Sequence, residues 1–275
     1  MSPRLSRAEI AEIGIYDFLG YIGAFNSPFI GGMEGTRRLL DKLDITSQSE
    51  VLEVGCASGF TSCMLAEEYN CALTGIDLSE ILVNKARERA ERKNLPNTRF
   101  LVADALDLPF ENDTFDSVFS VAVTALIPDK LRVLQEYMRV TKPGGKIGTL
   151  DLFVKEGAPD EVREKFYGIF MDILGSENEI MSIDEWNALF QQTGFQDIEV
   201  EENYSNVFEM PKNRGNAAGA TLRLAYHMMI NGAVRERVRK LLGMRKTISL
   251  RSEGEYENVG YLIFMAKKPE FTIFE

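Results

Sequence analysis

The chain has 275 residues, 45% of them hydrophobic, and a formal net charge of −11 at pH 7. This length suits one large α/β domain with additions, and the acidity argues against general binding to nucleic acid, whose phosphates need a basic surface. No apolar run approaches the roughly 18 residues of a membrane-crossing helix, and the opening segment, with Arg4, Arg7, Glu9 and Glu12, does not read as a signal peptide.

Cys56, Cys63 and Cys71 are an odd set, which argues against a disulfide framework and points to the reducing cytoplasm. Neither they nor the single histidine, His227, belong to a cluster with metal-ligand spacing, so no metal is expected.

In chain order, residues 1–44 read as a helical cap segment, broken around Asn26-Ser27-Pro28 and Gly31-Gly32. Strands are predicted at 51–54, 72–76, 98–102, 115–121, 146–153, 196–203 and 259–267, with helices between them. That alternation implies a doubly wound, mostly parallel sheet with helices on both faces. Ser79 can cap the helix carrying Leu82, Ala86 and Ala90, and Asp129 the helix carrying Leu131, Leu134 and Met138. Residues 156–181, with Phe166, Ile169, Phe170 and Ile173, read as an amphipathic cap helix. Residues 182–275 complete the core around an insert at about 205–257, where Leu222, Tyr226, Ile230, Val234, Val238 and Leu241 form a helical apolar stripe.

The chemistry concentrates at the first two strands. Val51-Leu52-Glu53-Val54 runs into the tight loop Gly55-Cys56-Ala57-Ser58-Gly59, a helix follows, and the run Ala72–Ile76 ends on Asp77. Small residues let backbone approach a ligand, and a carboxylate ending the second strand suits a ribose diol. The glycines are spaced G-x-x-x-G, unlike the dinucleotide fingerprint. Glu53 would repel a pyrophosphate but suits a cation. Both features disfavour a nicotinamide-dependent oxidoreductase.

Glu53-x-Gly55-x-Ala57-x-Gly59 followed by Gly75-Ile76-Asp77-Leu78-Ser79 resembles the cofactor site of class I S-adenosylmethionine-dependent methyltransferases of the small-molecule type. Phe100-Leu101-Val102-Ala103-Asp104-Ala105 resembles the strand and acidic turn that hold the adenine. Leu108–Val118 resembles the approach to the fourth strand, and Arg139–Ile147 the turn before the fifth. The resemblance covers residues 45–155, the expected cofactor-binding core. It implies a Rossmann-like, seven-stranded sheet whose last strand is inserted antiparallel, capped by the N-terminal segment, the helix after the fifth strand and the late insert.

It also implies S-adenosylmethionine as cofactor. Gly55, Cys56, Ala57 and Gly59 would pack against its methionine and ribose parts, and Glu53 would meet the amino group. Asp77 would accept the ribose hydroxyls and Leu78 would cover an adenine face. Asp104 and the Ala105 N–H would take the adenine edge, while Ser120 and Val121 would line the pocket beneath the sulfonium. Tyr16, Tyr21, Thr36 and Arg37 are candidates for the methionine carboxylate.

The resemblance implies methyl transfer to a small molecule by in-line displacement, with orientation and water exclusion as the main demands on the protein. A general base is needed only if the nucleophile must lose a proton. His227 and Asp151 are the candidates, with a partly buried structural histidine and a strand-end carboxylate in solvent as their plainer alternatives. Many small-molecule members carry a histidine where this chain has Ile127. Apolar and methionine-rich cap residues, among them Phe25, Phe29, Phe166, Phe170, Phe208, Met210, Tyr226, Met228 and Met229, fit a partly hydrophobic acceptor or simply fill the cap. A cofactor-binding partner or sensor without catalysis is the alternative. The basic run from Arg235 to Arg251 reads either as a solvated face or as a docking surface for an anionic substrate or a membrane headgroup.

Overall fold

The computed structural model describes residues 5–22, 28, 30–174, 177–204, 228, 232–236, 238–239 and 258–270; the side chains of Arg7, Ala11, Ile169, Phe170 and 172–174 are not described. Helices α1 (Arg7–Glu12), α2 (Ile15–Ile22) and α3 (Gly32–Asp41) precede the sheet. Then come β1 (Glu50–Val54), α4 (Phe60–Tyr69), β2 (Ala72–Asp77), α5 (Glu80–Lys93), β3 (Thr98–Val102) and β4 (Phe115–Val121). A 3-10 turn at Thr124–Leu126 leads to α6 (Lys130–Val140), β5 (Thr141–Val154), α7 (Asp160–Leu174), α8 (Ile183–Thr193), β6 (Gln196–Asn203) and β7 (Val259–Lys267).

The seven strands form one sheet in the order β3-β2-β1-β4-β5-β7-β6. All pairs are parallel except those of β7, which runs antiparallel to both β5 and β6. Strand order reverses between β1 and β4, which places a ligand crevice beyond their carboxyl ends.

Strand alternation distributes the core to two faces. Val51, Phe119, Leu150, Leu152, Ile263 and Met265 pack with Leu39 and Leu40 of α3, Leu65 of α4 and Phe166 of α7. Leu52, Val54, Val118, Ile147, Phe153 and Phe264 pack on the other face with Val133, Leu134 and Tyr137 of α6 and Trp186 and Phe190 of α8. Phe166 is therefore a core residue, 3% exposed, rather than part of a substrate cover.

The helix starts follow from local chemistry. Ser79 Oγ accepts the Leu82 N–H at 3.1 Å and Asp129 Oδ1 the Arg132 N–H at 3.0 Å, each satisfying a free amide of the first turn. Leu82, Ala86 and Ala90 are all buried on α5. On α6 the buried stripe is Val133, Leu134, Tyr137 and Val140, so Leu131 lies at its edge. The predicted turn before the fifth strand is a bulge within it. Pairing jumps from Phe115↔Thr141 to Ser117↔Lys146, and Pro143-Gly144-Gly145 lie in the gap, where Gly144 has φ +74°.

Within the insert, residues 232–236 are helical. Val234 and Val238 are buried against Ile10, Phe18 and Ile22 of the N-terminal helices. Leu222, Tyr226, Ile230 and Leu241 of the expected stripe lie outside the described residues, as do Phe25, Phe29, Phe208, Met210 and Met229. Of the basic run, Arg235 and Arg239 are described and exposed. No helix among the described residues is long and apolar enough to cross a membrane.

Candidate active site

Register puts the two key carboxylates together. Glu53 pairs with Gly75 across β1 and β2, so Asp77, next but one along the strand, projects from the same face as Glu53. Both line a cavity of about 580 Å³ at the switch point, within the usual range for a small-molecule site.

The loop between β1 and α4 has three residues with positive φ: Gly55 at +72°, Ala57 at +46° and Gly59 at +68°. The two glycines serve different ends. Gly55 lines the cavity, and a Cβ on it would sit 2.2 Å from Val123 Cγ2. Gly59 is not part of the lining; a Cβ there would meet Ala86 Cβ at 2.7 Å, so its bareness seats the loop on α5. Gly59, expected beside the ligand, thus stands outside the lining. Ala57 lines the cavity in a left-handed conformation that costs roughly 1 kcal/mol. Its N–H donates to Asp77 Oδ2 at 2.8 Å, which helps hold it there.

Glu53 is 3% exposed and accepts a short hydrogen bond from the Ser62 hydroxyl on the first turn of α4. Burial pushes its carboxyl up to about 8, against the Ser62 hydrogen bond. Sequence reading passed over Ser62; a hydroxyl one turn into the helix after the glycine loop was the available signal. Asp77 Oδ1 accepts the Ser79 N–H at 2.9 Å, and burial raises its pKa despite its amide donors. A carboxylate has about four lone-pair sites, so these bonds leave capacity for hydroxyl donors.

Next to it Leu78 also lines the cavity yet is 74% exposed, a large apolar side chain left in solvent beside a polar crevice. Asp104 and Ala105 line the cavity after β3, where Asp104 Oδ1 accepts the Leu106 N–H at 2.9 Å. The following segment is braced by a pair the sequence did not reveal. Glu136, 2% exposed, accepts the Leu108 N–H at 2.8 Å, and Arg139 donates to Leu108 O at 2.8 Å and Phe110 O at 2.6 Å. Cys56 faces the cavity as a buried thiol whose pKa is raised by burial and by the charges of Glu53 and Asp77.

From the N-terminal segment, Tyr16 of α2 reaches the cavity, and burial with the nearby Asp77 charge raises its hydroxyl pKa. Its neighbour Asp17 accepts a short hydrogen bond from the Ser79 hydroxyl, which ties α2 to the start of α5. The other three candidates stand elsewhere. Tyr21 packs with the N-terminal apolar cluster. Thr36 is fully buried, its hydroxyl donating to Gly32 O at 2.8 Å. Arg37 pairs with Glu68 at 3.1 Å on the surface.

Val121 lines the cavity but Ser120 does not. Alternation turns Ser120 to the opposite face, where its hydroxyl lies 3.0 Å from Thr124 Oγ1. Asp151 is neither in solvent nor in the cavity lining. It is fully buried beneath the turn after β4, where Oδ1 accepts the Ala125 N–H at 3.0 Å. His227 lies outside the described residues. Ile127, at the position where many small-molecule members carry a histidine, lines the cavity with Val123, Leu126 and Pro128. No group of three or more His, Cys, Asp or Glu among the described residues is arranged to hold a metal.

Sheet order, the loop at the switch point and the paired carboxylates define a class I, Rossmann-like methyltransferase architecture. A family model described as a methyltransferase domain matches residues 45–203, and the chain belongs to that family. It is 30% identical over 166 residues to the O-methyltransferase rstn1 of Aspergillus nomiae, covering 60% of this chain and 72% of that protein. Across three curated methyltransferase relatives the match spans from 36% to 72% of their own length.

Two solved structures share the fold. The [4+2]-cyclase SpnF aligns with a TM-score of 0.68 and 18% identity, covering 96% of each chain. Phosphoethanolamine N-methyltransferase 2 of Haemonchus contortus, solved with S-adenosyl-L-methionine, aligns with a TM-score of 0.62 and 21% identity over 96% of this chain and 57% of that one. One is named a cyclase and the other a methyltransferase, so fold alone does not select the reaction.

Proposed function

We propose that the chain binds S-adenosylmethionine and transfers its methyl group to a small, partly hydrophobic acceptor by in-line displacement. One observation carries this reading: Glu53 and Asp77, on one face of neighbouring strands, line a single cavity with the exposed Leu78 beside them. The bound cofactor would supply an already activated methyl group on a sulfonium.

The protein's own part is binding, orientation and exclusion of water. Glu53 holds the amino group, Asp77 takes ribose hydroxyls, Leu78 covers an adenine face, and Asp104 with the Ala105 N–H takes the adenine edge. Ile30, Phe60, Val121, Val123, Leu126 and Ile127 make the rest of the lining largely apolar, which fits an acceptor with substantial hydrophobic surface.

Calorimetric titration with S-adenosylhomocysteine and with NAD tests the cofactor, with binding expected for the first alone. Incubation with S-adenosylmethionine and a panel of small amines, phenols and thiols, read by mass spectrometry, tests the transfer. Cofactor binding with no methylated product from any acceptor would favour a binding partner or sensor instead.

A further inference from the structure

The sheet face opposite Glu53 carries a buried polar cluster that no step of the proposed chemistry uses. Asp151 of β5 is 0% exposed, Asn178 before α8 is 3% exposed and Lys130 at the start of α6 is 7% exposed. All three converge on the main chain of the turn after β4. Asp151 Oδ1 accepts the Ala125 N–H at 3.0 Å, and Asn178 Nδ2 donates to Ala125 O at 2.6 Å. Lys130 Nζ donates to Ile127 O at 3.1 Å and to Asn178 Oδ1 at 2.6 Å. Three side chains distant in sequence thus hold one short turn by its amide and carbonyl groups.

The turn needs holding. Ala122 enters it with φ +59°, a conformation that alanine adopts at a cost. The burial of two charged groups is also costly, and an apolar packing of similar volume commonly serves stability as well or better. Among the described residues Asp151 Oδ2 lies buried without a hydrogen bond of good geometry, with the Thr149 hydroxyl and the Val123 N–H as its nearby donors. Burial pushes Asp151 up to about 6, while the Ala125 N–H and the Lys130 charge oppose that shift.

The other side of the same turn is cavity wall: Ala122, Val123, Leu126 and Ile127 all line it. The carboxylates assigned to the cofactor come from β1, β2 and the segment after β3, and none of them bonds to this cluster. We propose that Asp151, Lys130 and Asn178 are positioning residues that fix residues 122–127 and thereby set the shape of the acceptor wall, independently of cofactor capture. The fixing of the turn stands on the hydrogen bonds alone; the acceptor role rests on the methyltransferase reading above.

The full chain carrying Asp151→Asn, Lys130→Met or the double change Asp151→Leu/Lys130→Met is compared with the unchanged protein under saturating S-adenosylhomocysteine. The double change removes both buried charges at once, so it leaves no uncompensated charge where a single change would. Hydrogen exchange of the 121–128 peptide should accelerate about tenfold or more, while S-adenosylhomocysteine affinity stays within about threefold by calorimetry. For acceptors that the unchanged protein methylates, the ratio of kcat/KM between a bulky and a slender acceptor should move at least severalfold. Unchanged exchange at 121–128, or cofactor affinity falling in parallel with the loosening, overturns the proposal. If the unchanged protein methylates nothing, the methyltransferase reading fails, and the exchange measurement still decides whether the cluster fixes the turn.

Discussion

The Asp77 carboxylate accepts the main-chain N–H of Ala57 at 2.8 Å, so the residue assigned to the ribose also braces the glycine loop. Asp77→Asn keeps an oxygen for that amide but loses the charge and part of the accepting capacity. Affinity for S-adenosylhomocysteine should fall roughly tenfold to hundredfold, the scale of one or two charged hydrogen bonds. Calorimetry checks this, and a change of less than about twofold would remove Asp77 from the site.

Glu53 predicts a pH dependence of definite sign. Its carboxyl is raised from 4.5 to about 8 by burial. Between those values the unfolded chain releases this proton before the folded one does. The stabilisation is therefore complete below about pH 4.5 and is lost as pH rises through about 8. Thermal unfolding should show a decline in midpoint across this window that Glu53→Gln flattens. Capture of an ammonium favours the carboxylate form, so S-adenosylhomocysteine binding by the unchanged protein should release a proton near neutral pH, and Glu53→Gln should abolish that release. Calorimetry in buffers of different ionisation enthalpy reads it directly.

The two loop glycines should respond differently to alanine. Gly59→Ala brings a methyl to 2.7 Å from Ala86 Cβ at φ +68°, so it should cost about 1–3 kcal/mol of stability by denaturant unfolding. Gly55→Ala collides with Val123 Cγ2 at 2.2 Å inside the cavity and should chiefly weaken cofactor binding. Val123→Ala added to Gly55→Ala should restore part of that binding, since it removes the colliding methyl groups. Absence of any rescue would place the defect in loop strain instead.

Leu78 is 74% exposed, so Leu78→Ser should leave stability within about 0.5 kcal/mol. Loss of the apolar area that an adenine would cover should still weaken S-adenosylhomocysteine binding several-fold, at about 25 cal/mol per Å². Arg37→Ala serves as the contrast. Its guanidinium is engaged with Glu68 on the surface, and a surface pair of this kind is worth about 0–1 kcal/mol, so cofactor affinity should not change. A drop with Arg37→Ala equal to that with Leu78→Ser would put the arginine back in the site.

Much of this was legible because it is local. Apolar runs marked the first two strands, the alternation of strands with helices marked the sheet, and Ser79 and Asp129 announced the starts of α5 and α6. The bulge at Pro143–Gly145 was read as a turn, because proline and glycine signal broken regularity without saying whether strand pairing resumes in register. Ser120 and Val121 are sequence neighbours and were assigned together, yet adjacent strand residues point to opposite faces. Arg37 had the right chemistry for a carboxylate, but its partner Glu68 comes from a helix whose packing the sequence does not specify.

The chain by itself determined the nucleoside-type loop, the carboxylate ending the second strand and the α/β alternation, since each depends on residues close together and on fixed backbone periodicities. Tertiary structure decided what faces what. It turned Glu53 and Asp77 to a common cavity, gave Gly59 to helix packing, and carried Asp151 from β5 under the turn that β4 begins. Those outcomes follow from the order of strands across the sheet and the helices laid on each face, which are set by contacts between segments far apart in the chain.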